Sequence, residues 1–356
     1  MCKLLQNISS VERKRNLYLD VVKGTAIILV ILGHSIQYGN GVEYYDSDLF
    51  YGNILFKFIY SFHMPLFMLI SGYLFYYSIK GEKELTRIIV KKTRSLLLPV
   101  ISFGIIIQFP ELLHSLANWK TLLYFSKGFV RFMFLNNHLW FLWSVFLNMS
   151  IVLIVHKFKD SIYLYLTLWF CLLLLPSYRL IPQYSFMFPY FVIGYLINKH
   201  NALSKLSINY KIICALLFLY LCLFAFYDTD TYVYVSGQHI LRAGGLYYFM
   251  LDIYRFAIGL IGSALVLLII FYIYRLIGNK SRLICCISTL GLCSLGIYCF
   301  QETFFFYYKT HIISNISGFS ALATLLTFTL AIGISFALTI LSRQNKLTRL
   351  LLLGGR

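Results

Sequence analysis

Long apolar runs recur along the whole chain and are separated only by short polar segments. A membrane-crossing helix needs about 20 predominantly apolar residues. On that criterion the runs at 17–38, 53–79, 95–114, 138–156, 161–177, 185–198, 211–227, 246–274, 283–301 and 318–341 predict ten spans. The fifth and sixth have the least distinct limits, because Pro176, Pro182 and Pro189 interrupt their edges. The first run follows Arg13, Lys14 and Arg15 and so resembles a signal peptide, but it is too long for one and carries Asp20, Lys23 and His34. It is read as a span. The gaps between runs are too short for a separate soluble domain, which takes on the order of 100 residues. The pattern predicts an all-α polytopic membrane protein of about ten transmembrane helices, a single domain over 1–356.

Composition agrees. The chain is 60% hydrophobic and only 12% charged, with a mean hydropathy of +0.76, against about 25% charged residues in soluble proteins. The net charge of +18 would suit a nucleic-acid partner if it formed one patch. Instead Lys and Arg crowd into alternate segments, such as 80–94, 199–211, 275–282 and 343–356, and thin out between them. That alternation is the positive-inside pattern; it predicts both termini on the cytoplasmic side and no nucleic-acid partner. The eight cysteines include no CxxC pair of metal-site type, so no metal centre is expected.

Charge inside the apolar runs changes the picture from structure to chemistry. Lys23 and His34 are eleven positions apart in the first run, three turns plus about 20°, so they share one helical stripe roughly 16 Å long with Asp20. Ionisable groups in a span are expensive and mark function by default, although a snorkelling lysine and a hydrogen-bonded histidine are the structural alternative. His34 is the best candidate general base, because an imidazole titrates near neutrality. In the second run Pro65 invites a kink beside His63, while Ser71 and Gly72 suit close helix packing. The basic segment 80–99 is either a solvated loop or a phosphate clamp built on Arg87, Lys91 and Arg94.

Further along, His138, Trp140 and Trp143 sit where a helix starts at an interface, with Asn137 as the expected cap. Asp252 and Arg255 can pair on one helix face, and Gln301 and Glu302 end the ninth run, facing either the His34 cavity or water. The segments 39–52 and 228–245 hold acidic residues among tyrosines, a bed for sugars or an interfacial aromatic belt. There is no GxSxG, Walker, HExxH or GxGxxG motif. Nor is there a duplicated half of the kind many transporters show.

YLDVVKGTAIILVILGH (18–34) is similar to the first-helix signature of the acyltransferase-3 family of integral membrane O-acyltransferases, with Lys23 where arginine is frequent. FHMPLFMLISGYLF (62–75), KKTRSLLLP (91–99), HLWFLW (138–143), FPYFVIGYLI (188–197) and SLGIYCFQ (294–301) resemble its later landmarks in order, and FHMPLF is closest to the branch named for fucose 4-O-acetylases. The resemblance implies transfer of an acyl group, usually acetyl, from cytoplasmic acyl-CoA to a carbohydrate or lipid-linked glycan at the outer face of a bacterial inner membrane. Acetyl-CoA would then be a co-substrate, no cofactor would be tightly bound, and the partners would be the glycan acceptor and membrane lipids. On this reading CoA settles on Lys23 and Arg94, with Lys91 and Arg87 near. His34 acts as base, Asp20 orients Lys23, and His63 or Trp140 meets the oxyanion. Ser71, His138, Asp252, Arg255, Gln301 and Glu302 line the acceptor side. Gln301 departs from the family, which commonly has histidine there. A lipid-linked glycan permease or flippase, or a non-catalytic scaffold, are the competing readings.

Overall fold

A computed structural model describes residues 16–82, 84–116, 118–135, 138–202, 209–238, 245–278, 281–311 and 318–355, which are helical and carry no strand. The principal helices are α1 (Leu17–Tyr38), α2 (Ile54–Lys80), α3 (Leu85–Ser115), α4 (Trp119–Leu135), α5 (Trp140–Phe158) and α6 (Ile162–Leu173). They are followed by α7 (Ile181–Lys199), α8 (Tyr210–Phe224), α9 (Gly245–Ile277), α10 (Arg282–His311), α11 (Ala321–Gln344) and α12 (Lys346–Leu353). Asparagine starts several of them: Asn16 accepts from the Leu19 N–H, and Asn53 from those of Leu55 and Phe56, satisfying donors that a helix start leaves bare. A π-helical turn, Thr93–Leu97, interrupts α3 just before Pro99. The expected cap Asn137 lies outside the described residues.

All ten apolar runs are helical, yet only seven helices, α1, α2, α3, α5, α9, α10 and α11, are long and apolar enough to cross a membrane among the described residues. At 1.5 Å per residue, the 12 residues of α6 and 15 of α8 reach only about 18 and 22 Å, short of a hydrocarbon core of about 30 Å. The 19-residue α7 buries Gln183, Ser185 and Asn198 and is an interior helix. The segment 115–137, which lies between two of the ten predicted spans, contains α4; Lys120, Lys127 and Arg131 break its apolar run and hide its helical period. Large apolar side chains such as Leu322, Leu325, Leu326 and Leu330 on α11 stand exposed in a row, a surface suited to lipid and not to water. The chain is a multi-pass membrane protein.

Two glycine crossings set the helix spacing. A Cβ on Gly24 of α1 would lie 1.9 Å from the Ile287 carbonyl oxygen of α10, and one on Gly291 of α10 would lie 1.8 Å from that of Asp20. Gly72 of α2 and Gly194 of α7 make the same close approach to Phe191 and Leu69. Without a hydrophobic drive between helices in lipid, such backbone-to-backbone packing is what holds them. Because α1 meets Ile287–Gly291 at its start and Gln301 near its end, the two helices run in the same direction.

Between α5 and α6, Asp160 accepts from Lys199 Nζ at 2.7 Å, Tyr195 Oη at 2.8 Å, Tyr165 Oη at 2.9 Å and His156 Nδ1 at 2.9 Å. Its burial favours the neutral acid, but these hydrogen bonds outweigh it and hold the carboxyl down at about 2.

Candidate active site

The first helix supplies both ends of the site. Asp20 Oδ1 pairs with Lys23 Nζ at 2.7 Å near the start of α1. Three turns on, His34 Nδ1 lies 3.0 Å from Gln301 Oε1 and 3.5 Å from Glu302 Oε1, both on α10. Gln301 Nε2 donates to Glu302 Oε1 at 2.9 Å. Tyr38 and Phe305 set their rings edge-on to the imidazole at 5.8 and 5.5 Å.

Two cavities lie along this stripe. The one at the Lys23 end has a volume of about 460 Å³; Lys23, Lys92 and Arg343 line it with Ser71, Ser294 and Thr339, and its other walls are mostly apolar. The one at the His34 end has about 260 Å³ and is lined by His34, His63, Trp140, Gln183, Arg255 and Glu302 among tyrosines. Val30, Met64 and Tyr298 belong to the walls of both. Val30 stands seven residues after Lys23 and four before His34, on the same face of α1. Met64 comes immediately before Pro65, whose ring leaves the Ser61 carbonyl without its helical donor. The kink that the sequence suggests therefore falls where the two spaces adjoin.

The other candidates divide. His63 is buried and its Nδ1 bonds the Ile59 carbonyl at 2.8 Å, on the wall of the His34 cavity. Ser71 donates to the Phe67 carbonyl on the wall of the Lys23 cavity. Arg255 pairs with Asp252 at 3.1 Å and donates to the Gly237 carbonyl at 2.8 Å and Ser236 Oγ at 2.6 Å. It thus fastens the segment 229–237, which brings Tyr232 and Tyr234 over the His34 cavity; Asp252 is not in that wall. His138 packs on Phe306 at 5.3 Å outside either wall. Arg87, 63% exposed, pairs with Glu84, and Lys91, 69% exposed, pairs with Glu82. Arg94 is exposed on the π turn. None of these three lines a cavity.

The cations that do face the Lys23 cavity, Lys92 and Arg343, were not singled out from sequence. Lys92 follows Lys91 by one position, hence about 100° round the helix and on another face. Arg343 is the first cation after the last long apolar run, a signal that reads equally well as orientation charge. Its Nη2 donates to the Leu292 carbonyl at 2.8 Å, while its Nε is buried without a hydrogen-bond partner.

The chain is thus a helical membrane protein with a basic pocket at one end of its first helix and a hydrogen-bonded histidine at the other. The family described as "Acyltransferase domain" matches residues 16–343, and the chain belongs to this acyltransferase-3 family. It is 32% identical over 193 residues to the nodulation protein NolL of Sinorhizobium fredii, covering 53% of this chain and 50% of that protein. It is 31% identical over 191 residues to NolL of Mesorhizobium japonicum, covering 51% and 48%. The matched region spans about half the length of these curated relatives. No solved structure matches.

Proposed function

We propose that the chain transfers an acetyl group from cytoplasmic acetyl-CoA to a hydroxyl of a cell-surface carbohydrate or lipid-linked glycan, across a bacterial inner membrane. The observation that carries this reading is the adjoining pair of cavities: a basic one at the Lys23 end and an aromatic, polar one holding His34, with Val30, Met64 and Tyr298 common to their walls. Positive charge crowds into the segments on the Lys23 side, which the positive-inside rule assigns to the cytoplasm.

In this mechanism the polyanionic head of CoA rests on Lys92 and Arg343, with Lys23 held in place by Asp20. Arginine suits phosphate because its planar fork donates in parallel. The pantetheine arm follows the α1 stripe past Val30; the roughly 16 Å from Lys23 to His34 is comparable with its extended length. His34 removes the proton from the acceptor hydroxyl, and the oxygen attacks the thioester carbon. The tetrahedral oxyanion collapses, the C–S bond breaks, and the proton passes from His34 to the departing thiolate. Trp140 is the donor we assign to the oxyanion, since an indole N–H only donates. His63 has committed Nδ1 to Ile59, which leaves its Nε2 an acceptor while it is neutral.

The test is acetyl-CoA consumption by purified protein supplied with glycan fractions from the producing cells. His34→Ala is expected to lower turnover by about 10²–10⁴-fold, the usual contribution of a general base, while Cys286→Ala, at an exposed position, leaves it unchanged. Full turnover in His34→Ala would remove the base, and a protein that binds no CoA yet moves lipid-linked sugar would be a permease.

A further inference from the structure

We infer that Gln301 is a positioning residue that fixes the tautomer of His34, and that Glu302 in turn fixes the orientation of Gln301. The inference deepens the proposed function and rests on His34 being the base. Gln301 is fully buried, with 0% exposure, so its amide must find both its partners within the protein. The amide NH2 donates to Glu302 Oε1 at 2.9 Å. Turned the other way, the amide oxygen would face a carboxylate oxygen, two acceptors with no hydrogen between them. Glu302 therefore points Oε1 of Gln301 at His34 Nδ1, 3.0 Å away. The same nitrogen has Glu302 Oε1 at 3.5 Å. With two oxygens in front of it, Nδ1 carries the hydrogen, and the lone pair of the neutral ring sits on Nε2.

This arrangement gives a glutamine at 301 a use that a histidine there would serve less well. A second imidazole there would itself exist in two tautomers, whereas an amide held by a carboxylate presents only its oxygen. The chain from His34 through Gln301 to Glu302 also lets negative charge stabilise the imidazolium that forms when Nε2 takes a proton, with the amide as intermediary. Glu302 keeps that role without being the base, because the proton it sees is the one on Nδ1.

The experiment is ¹⁵N NMR of the full-length protein in lipid nanodiscs with ring-labelled histidine, His34 being assigned by difference from His34→Asn. The wild type is expected to show a pyrrole-type Nδ1 and a pyridine-type Nε2. Gln301→Leu should convert these to averaged signals and lower acetyl-CoA turnover by about 10–100-fold, part of what a positioned base contributes, with KM for acetyl-CoA unchanged. The exchanged pair, Gln301→Glu with Glu302→Gln, keeps an oxygen at Nδ1 and an amide hydrogen between the two side chains, and should restore both the spectrum and most of the turnover. Should Gln301→Leu fail to fold, Glu302→Gln, which allows the amide to turn, provides the same averaging. A pyridine-type Nδ1 in the wild type, or an unchanged spectrum in both variants, overturns the inference. The tautomer as expected together with full activity in His34→Ala would instead leave the lock standing and remove the base.

Discussion

Replacing Gly24 with alanine tests how tightly the site depends on one helix crossing. The added Cβ would lie 1.9 Å from the Ile287 carbonyl oxygen, whereas real Cβ atoms essentially never come closer than 3.0 Å. Backbone cannot rotate away as a side chain can, so α1 and α10 must part by more than 1 Å. These helices carry Lys23, Val30 and His34 on one side and Tyr298, Gln301 and Glu302 on the other. The 3.0 Å contact from His34 to Gln301 would stretch past the hydrogen-bond range if that shift reached it. A misplacement of about 1 Å costs on the order of 10²-fold in rate, and overpacking costs about 1–3 kcal/mol of stability. Gly291→Ala, 1.8 Å from the Asp20 carbonyl oxygen, should act alike. Gly333→Ala is the control: it sits in α11 with nothing within 4 Å, and alanine there gains up to about 1 kcal/mol of helix propensity. The assay is acetyl-CoA turnover beside thermal unfolding in detergent. Wild-type turnover and melting in both Gly24→Ala and Gly291→Ala would refute the reasoning.

Val30→Trp should fill the wall that both cavities share; CoA binding by titration is then retained, while 2-bromoacetyl-CoA, whose carbon loses bromide to an imidazole nitrogen, no longer alkylates His34 as read by mass spectrometry. Equal labelling of wild type and variant would refute the passage, and Val30→Ala should label normally. Arg343→Ala is expected to weaken acetyl-CoA by about tenfold or more, the loss of one or two charged hydrogen bonds, and to leave KM for S-acetylpantetheine unchanged, since that donor lacks the nucleotide phosphates. An equal loss with both donors would make Arg343 a purely structural residue. Asp160→Asn should destabilise the α5–α6 junction by about 1–3 kcal/mol, because the neutral amide offers one acceptor oxygen in place of two and no charge to Lys199. The wild-type carboxyl is held down at about 2 from an ordinary 3.8, so its contribution is complete above about pH 4 and fades as the pH falls towards 2. The difference in melting temperature between wild type and Asp160→Asn should shrink over that window, and a constant difference would refute the assignment.

The runs of apolar residues located the helices because a span must satisfy its own backbone and expose an apolar surface to lipid, and both demands are written locally. What runs alone leave open is whether a helix crosses: α6 and α8 are too short and α7 too polar to be read by the same rule as α1. The helix α4 escaped notice because its three cations break the run without breaking the helix. Within α1, the stripe of Asp20, Lys23 and His34 was legible from the period of 3.6, and in α2 Pro65 was legible as a missing backbone donor. The basic segment before α3 was legible only as charge; whether Lys91 or Lys92 faces the cavity depends on the rotation of a helix about its axis, which neighbours set.

The sequence by itself determined a helical membrane protein and the order of chemical groups along the first helix, since each follows from spacing within one segment, and the order of six segments along the chain carried the family. Only the tertiary structure decided which groups meet across segments. Arg343 reaches the cavity of Lys23 from the far end of the chain, and Gln301 meets His34 across 267 positions. Periodicity relates residues only to others on their own helix; contacts of 3 Å between helices are set by how closely the backbones approach, and here Gly24 and Gly291 set that distance.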